Sequence, residues 1–234
     1  AALGGKVLWA PLCQMELLPP NVGQGWWRQM LLLYPRGHAK STLATIAFVI
    51  QWILNYPNVR ILLTTATETL VTEFIQKVRD HFKTNERLRH LFPELCQPVT
   101  DGRVLELGNQ SAFTIRARDN SNKKLGPGGT EPTVKAGTVG TAVTGNHPDV
   151  MICDDLVEKI NSSSQTGIDE VIRHFGAMGD LLARYVTEDG PRSGWTYVTG
   201  TPWDFSDLYQ VIIQGEKKRA EEGKTATWTI VMRS

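Results

Sequence analysis

Long hydrophobic runs, abundant cysteine and an excess of charge of either sign are all absent from the sequence. No stretch approaches the roughly 18 consecutive apolar residues that a membrane-spanning helix needs. The three cysteines, Cys13, Cys96 and Cys153, show no C-x-x-C spacing, so neither a disulfide framework nor a zinc site is indicated and a reducing, cytoplasm-like setting is favoured. The net charge of +1 excludes a uniformly basic nucleic-acid-binding protein but is compatible with a local basic patch.

The composition that remains is that of an ordinary globular protein. With 234 residues, 41% of them hydrophobic and 21% charged, the chain can form one large domain with a sizeable core. Within the single domain 1–234 we distinguish an N-terminal segment, 1–30, and an expected mobile loop, 118–133, which is rich in glycine and lysine. Ala1–Lys6 contains neither an initiator Met nor the apolar region of a signal peptide, so we expect a processed or truncated end.

The segment around Lys40 carries the strongest motif. Apolar Leu31–Leu33 leads into a short turn that contains Pro35 and Gly37, and residues 43–50 follow without a helix breaker. This order predicts a buried strand, a loop of phosphate size and a helix, which is the layout of a nucleotide-binding P-loop. Loop N–H groups and the helix N-terminus would attract phosphate, with Lys40 on the β- and γ-phosphates and the Ser41 hydroxyl on Mg²⁺.

The match to the usual G-x-x-x-x-G-K-[ST] pattern is incomplete, because Tyr34 and Ala39 occupy the two glycine positions. Ala39 fits only if its backbone conformation suits a residue that has a Cβ. The alternative interpretation is an ordinary strand–turn–helix unit with a lysine at the helix cap.

A second apolar strand is predicted over residues 149–153, and it delivers Asp154 and Asp155 at its C-terminal end, where open α/β sheets bind ligands. In P-loop enzymes the first acid of such a pair holds Mg²⁺ through water, and the second polarises the attacking water. The pair alone is a weak signal, since a helix N-cap often supplies one acid. Glu158 is an alternative catalytic base that we rank below Asp155.

Two further polar features accompany these motifs. A strand predicted over Trp195–Val198 ends in Thr199-Gly200-Thr201-Pro202; such a strand end can contact a γ-phosphate, whereas the simpler interpretation is a β-turn. Gln14 precedes the loop, where some motor ATPases place a glutamine that reads adenine, although a lone glutamine is usually only a surface residue.

The remaining periodicity predicts the flanking elements of an α/β fold. We predict strands over 59–65 and 225–232, helices over 67–82, 167–185 and 207–213, and a hairpin formed by 103–107 and 112–116. Basic residues gather in and after the helix at 67–82, where they form either a solvated face or a contact with a phosphate backbone: Lys77, Arg79, Lys83, Arg87 and Arg89.

Together these stretches resemble the ATPase domain of a tailed-phage large terminase, the motor subunit for genome packaging. Residues 35–42, PRGHAKST, resemble that family's deviant Walker A motif, and residues 139–149 resemble the segment before its Walker B motif. Residues 151–155 resemble Walker B, and residues 199–203 with 207–209 resemble the coupling motif. The matches extend from about residue 31 to 210, and their order and spacing make the set specific.

The resemblance implies an α/β P-loop fold of the additional-strand (RecA-like, ASCE) type, with a central, mostly parallel sheet flanked by helices. The implied ATP-binding residues are Pro35, Arg36, Gly37, His38, Ala39, Lys40, Ser41 and Thr42, with Gln14 on the adenine side. Ser41 and Asp154 would hold Mg²⁺, and Asp155 would be the catalytic carboxylate. Lys40, Arg36 as a γ-phosphate sensor in cis, and Thr201 would assist, while Thr199, Gly200 and Thr201 would couple hydrolysis to movement.

By the same resemblance, a homo-oligomeric ring of such domains on the portal protein would hydrolyse ATP and drive double-stranded viral DNA into the procapsid. This would take place in the host cytoplasm, with the small terminase subunit, without a membrane and outside the mature virion. The family carries a nuclease domain after the ATPase domain. We expect residues 1–234 to lack it and not to cut DNA.

Two departures and two alternatives stay open. Many family members have Glu at the position of Asp155, and some carry an arginine before Walker B that reaches the neighbouring subunit; residues 144–146 offer none. Arg116 and Arg118 are guesses for that role.

A helicase-like RecA ATPase is disfavoured because no second lobe fits in this length. A nucleotide-binding scaffold with a degenerate P-loop would explain the missing glycines.

Overall fold

The computed structural model describes residues 28–35, 37, 39–96, 99–100, 103–104, 108–115, 131–141, 147–187 and 190–232. The molecule is α/β, with a central seven-stranded, mostly parallel sheet flanked by helices. No helix within these residues is both long and apolar enough to span a membrane.

The main sheet has the strand order β11-β1-β10-β7-β2-β6-β5. Six strands are parallel, and the short edge strand β5 runs antiparallel to β6. The strands are β1 (Gln29–Leu33), β2 (Ile61–Thr65), β5 (Ala112–Phe113), β6 (Val134–Thr138), β7 (Val150–Asp154), β10 (Trp195–Gly200) and β11 (Thr229–Met232). Two small hairpins complete the β structure, β3 (Val99–Thr100) with β4 (Arg103–Val104) and β8 (Arg184–Thr187) with β9 (Gly190–Ser193).

The helix after β1 begins as a π-helical segment, Ser41–Ala47, and continues as α1 over Phe48–Asn55. Wide π-helical turns often occur at functional sites. The other helices are α2 (Glu68–Thr84), α3 (Glu86–Leu91), α4 (Lys159–Ser162), α5 (Gln165–Leu181) and α6 (Leu208–Glu221).

The sheet separates two hydrophobic clusters. Alternate residues of a strand point to opposite faces. Ile61, Leu63 and Ile152 therefore pack on the face of α1 and α2, whereas Leu62 and Met151 pack on the face of α5 and α6. By the same alternation Asp154, two residues after Ile152, faces the helix that follows β1.

One ion cluster ties three strands together at the edge of the sheet opposite to their C-terminal ends. Arg60, just before β2, donates from Nη2 to Oδ1 of Asp149 and from Nη1 to Oε2 of Glu131, both at 2.7 Å. Asp149 precedes β7 and Glu131 precedes β6. The hydrogen bonds to Asp149 are the largest cause that raises the pKa of Arg60. Arg60 therefore stays protonated and links the starts of β2, β6 and β7.

The predicted strands at 59–65, 149–153 and 195–198 and the helix at 67–82 are confirmed with small shifts of their ends. The final strand is shorter than predicted, because residues 225–228 are not part of β11. The helix predicted over 207–213 is longer and continues to Glu221. Strand β6 was not predicted.

The helix predicted over 167–185 is confirmed as α5, with different ends. It begins at Gln165 and ends at Leu181, because the Ala183 N–H donates to the Pro148 carbonyl and the chain enters β8. Part of the predicted hairpin of 103–107 with 112–116 lies outside the described residues. Within the described ranges, β4 pairs with β3, β5 pairs with β6, and an antiparallel bridge joins Gly108 to Phe113. The pairing of β5 with β6 was not predicted, and Phe113 of β5 is buried in the core.

Candidate functional site

The site lies at the C-terminal edge of the sheet, where β1, β10 and β7 are adjacent. The loop after β1, the Thr199–Thr201 segment and the two acids that end β7 meet there. Parallel strands direct their following loops to one edge, and this is where open α/β sheets bind ligands.

The loop between β1 and its helix adopts left-handed backbone conformations. Gly37 has φ +82° and Ala39 has φ +53°. The left-handed region is readily adopted by glycine and costs a residue with a Cβ roughly 1 kcal/mol or more. Ala39 therefore occupies a backbone conformation that suits the glycine of the usual motif. Its Cβ strains the backbone at this position, and the residue still adopts the left-handed conformation that a glycine would adopt.

The other missing glycine, at Tyr34, has a different explanation. The Tyr34 N–H donates to the carbonyl of Gly200 at 3.2 Å, and its carbonyl accepts from the Thr201 hydroxyl at 3.0 Å. This backbone extends the pairing of β1 with β10 and needs no glycine. Pro35 follows it directly.

Lys40 begins the helix and contacts the second acid. Its Nζ lies 2.5 Å from Oδ1 of Asp155, with side-chain exposures of 8% for Lys40 and 33% for Asp155. The charge of Lys40 is thus held at the mouth of the loop by the same carboxylate that the sequence indicates as the catalytic base.

Asp154 is the more deeply buried acid, with 1% exposure. Its Oδ2 accepts a hydrogen bond of 2.9 Å from the Thr45 hydroxyl. Burial, first of all, raises the pKa of this carboxyl from 3.8 to about 6, and the nearby charge of Asp155 acts in the same direction. A hydrogen bond from Ser41, the charge of Lys40 and the bond from Thr45 oppose the rise.

The second oxygen of Asp154, Oδ1, is buried and has no hydrogen-bond partner among the described residues. An unpartnered carboxylate oxygen is costly to bury, and a divalent cation is the partner that such an oxygen suits. Ser41 and Asp154 therefore fit a Mg²⁺ ion, which in nucleotide sites takes only one or two protein ligands beside phosphate and water. No cluster of three or more His, Cys, Asp or Glu side chains with metal-binding geometry occurs in the described part of the chain.

Asp155 also has a left-handed backbone, with φ +46°. Its N–H donates to the carbonyl of Thr199 at 2.9 Å. Asp tolerates this region better than most residues, and such conformations concentrate at functional sites. The turn lifts the Asp155 side chain out of the sheet toward Lys40.

The Thr199–Thr201 segment lies between the loop and the acids. Thr199 is aligned with Asp154 in the pairing of β10 with β7, and its buried hydroxyl has no hydrogen-bond partner among the residues whose positions the structure describes. Gly200 is in close contact with Tyr209, since a Cβ there would lie 2.0 Å from the Tyr209 hydroxyl oxygen. Thr201 bonds to Tyr34, so this segment touches both halves of the site.

Glu158, the alternative base, has a structural role. It is the N-cap of α4: its side chain accepts the N–H of Asn161, and its own N–H donates to Oδ1 of Asn161 at 2.8 Å. This reciprocal capping box favours Asp155 as the carboxylate available for chemistry.

Several predicted residues cannot be placed. Arg36, His38, Gln14, Arg116 and Arg118 lie outside the described residues, as does most of the loop 118–133. Thr42 is exposed on the π-helical segment. Of the basic residues near α2, Arg79 donates to the carbonyl of Asn109 at 2.8 Å, an intramolecular contact.

Sequence reasoning missed Thr45. It is a fully buried hydroxyl within the otherwise apolar run 43–50, and that contrast was the available signal. Tyr209 lies in the 207–209 stretch already noted in the sequence, but its contact was not predicted: it is fully buried, and its hydroxyl accepts the N–H of Val157 at 3.4 Å, just after the acid pair.

Comparison with known proteins adds no relative: no protein-family model matches the sequence, and no curated protein matches it significantly.

Proposed function

We propose that this chain is an ATP-hydrolysing P-loop domain and that it serves as the motor domain of a phage genome-packaging terminase. The observation that carries the hydrolytic part is the contact between Lys40 and Asp155 beside the buried Asp154. The strand order supports the additional-strand type of P-loop fold, because β10 separates β1 from β7.

Different residues of the chain bind phosphate, activate water and hold the cation in this proposal. The backbone N–H groups of the loop and the helix start bind the phosphates, and Lys40 exchanges Asp155 for phosphate oxygens. Asp155, once released, orients a water molecule and accepts its proton on a carboxylate oxygen. Ser41 and Asp154 would hold Mg²⁺, which would neutralise phosphate charge. Thr199 and Thr201, on the strand between loop and acids, respond to the loss of the γ-phosphate.

The hydrolytic proposal is tested by calorimetry of ATP binding with and without Mg²⁺. Lys40→Ala should abolish binding, whereas Lys77→Ala should leave it unchanged, because Lys77 is an exposed lysine on α2 that faces Glu73. Equal binding by wild type and Lys40→Ala, or no binding by either, would overturn the ATPase assignment and favour a P-loop-shaped scaffold.

The motor part of the proposal rests on the four sequence stretches quoted above. Its test is ATP turnover with double-stranded DNA and portal protein added together. A dilute isolated domain is expected to turn over slowly, because an arginine supplied in trans contributes roughly 10³–10⁵-fold in comparable enzymes. Strand separation by this chain alone would favour a helicase-like ATPase, and DNA cleavage with Mn²⁺ would contradict the expectation that residues 1–234 lack nuclease activity.

A further inference from the structure

Thr45 makes a contact that neither helix packing nor the loop motif requires. It lies on the π-helical segment Ser41–Ala47 and is fully buried. Its hydroxyl crosses from that segment to the end of β7 and donates to Oδ2 of Asp154 at 2.9 Å. A threonine inside a helix more commonly bonds back to a carbonyl of its own preceding turn.

The neighbours of Asp154 make this bond selective for one of the two carboxylate oxygens. Oδ2 accepts the bond from Thr45, and Ser41 also acts on this carboxyl group, whereas Oδ1 has no hydrogen-bond partner within the described ranges. Thr65 is aligned with Asp154 on the adjacent strand β2, but its hydroxyl donates to the carbonyl of Thr67 at 2.6 Å. A carboxylate that is held at one oxygen cannot rotate freely, so the direction of the other oxygen is fixed.

We propose that Thr45 is a positioning residue for the metal-binding carboxylate: its hydroxyl fixes Oδ2 of Asp154 so that Oδ1 is presented to the divalent cation that accompanies the nucleotide. This inference rests on the proposed nucleotide-binding function. Thr45 itself touches neither the nucleotide nor the cation. Its branched side chain is also stiff at χ1, which suits a group that must hold another in one orientation.

The inference predicts a specific change in the response to Mg²⁺. Binding of ADP is measured by calorimetry across a Mg²⁺ titration and again in EDTA, for wild type, Thr45→Val and Thr45→Ser. Thr45→Val keeps the shape but loses the hydroxyl. It should raise the Mg²⁺ concentration for half-maximal enhancement roughly tenfold, the size expected for a hydrogen bond to a charged group. Its affinity in EDTA should equal that of wild type, and Thr45→Ser should restore the Mg²⁺ response.

A matched control separates this role from the general cost of losing a buried hydroxyl. Thr64 is fully buried on β2, and its hydroxyl has no partner in the part of the chain that the structure covers. By alternation it points to the face opposite to Asp154. Thr64→Val should therefore leave the Mg²⁺ response unchanged. If Thr45→Val does not fold, Thr45→Ala compared with Thr45→Ser provides the same contrast.

The outcomes distinguish this inference from the function on which it rests. Wild type that binds no ADP, or binds it without any effect of Mg²⁺, overturns the proposed function and this inference with it. Wild type with a normal Mg²⁺ response and an unchanged response in Thr45→Val overturns the positioning role alone. Equal loss of affinity in EDTA and in Mg²⁺ also overturns it, because that result indicates a structural role.

Discussion

The ammonium nitrogen of Lys40 and Oδ1 of Asp155 lie 2.5 Å apart, although 115 residues separate them in sequence. In a nucleotide site of the proposed kind, Lys40 would contact phosphate and Asp155 would contact water. In this structure they neutralise each other at the edge of the sheet. If the chain binds a nucleotide as proposed, phosphate competes with Asp155 for Lys40, and its binding frees the carboxylate.

Replacing Asp155 should separate binding from hydrolysis. Asp155→Asn removes the negative charge that competes for Lys40, so ATP affinity should be equal to or higher than that of wild type. Turnover should fall by about 10²–10⁴-fold, the usual contribution of a general base. Calorimetry and phosphate release measure the two effects, and Lys40→Met should lose binding instead. Retained turnover in Asp155→Asn would shift the catalytic role to another residue.

The buried Asp154 should make stability depend on pH. Its pKa is about 6 in the folded protein against 3.8 as the ordinary value, so between these pH values the folded state binds more protons than the unfolded state. Stability therefore falls as the pH rises through this window and stays lower above it. The difference corresponds to about 3 kcal/mol, and Asp154→Asn should not show this loss.

The check is urea denaturation of wild type and Asp154→Asn from pH 4 to pH 7 in chelator. The stability of the variant relative to wild type should increase across the window. Asp180→Asn, which changes an exposed carboxylate on α5, is the control for the loss of a carboxylate at the surface. A pH-independent difference for Asp154→Asn would contradict the effect of burial.

The strain at Ala39 predicts a stabilising substitution. Ala39→Gly removes the Cβ from a left-handed conformation with φ +53°, and the expected gain is up to about 1 kcal/mol after the greater freedom of glycine in the unfolded chain is counted. The same change at Ala47, which is exposed and helical with φ −63°, should instead cost about 1 kcal/mol. Urea denaturation compares the two, and a loss of stability in Ala39→Gly would show that the loop is unstrained.

The close contact between Gly200 and Tyr209 predicts that the Thr199–Thr201 segment is sensitive to substitution. Gly200→Ala would place a Cβ 2.0 Å from the Tyr209 hydroxyl oxygen, so the tyrosine or β10 must shift, at a cost of about 1–3 kcal/mol. Gly215→Ala on α6 meets nothing within 4 Å and should stabilise by up to about 1 kcal/mol. Thermal melting should show a lower melting temperature for Gly200→Ala and a higher one for Gly215→Ala. Equal changes in the two variants would indicate that Tyr209 lies farther from the strand.

The parts of the fold that depend on local pattern were predictable from the sequence. Apolar runs indicated β2 and β7, and the spacing of Val71, Phe74, Ile75 and Val78 indicated α2. The pairings of β4 with β3 and of β5 with β6 were not predicted, because β3, β4 and β5 are only two residues long among the described residues. Such short strands carry too little pattern to specify a partner, and burial of Phe113 against β6 decided the pairing.

The candidate site side chains could be identified from the sequence. A lysine that ends the loop of a strand–loop–helix unit, and acids that end an apolar strand, are both recognisable from local sequence order. Which of them meet depends on the packed fold. Strand order placed β10 between β1 and β7, the left-handed turn at Asp155 brought its carboxylate to Lys40, and the helix after β1 set Thr45 against Asp154. The contacts of Lys40 with Asp155 and of Thr45 with Asp154 join residues more than a hundred positions apart. Burial of both sheet faces, rather than a local preference, selects them.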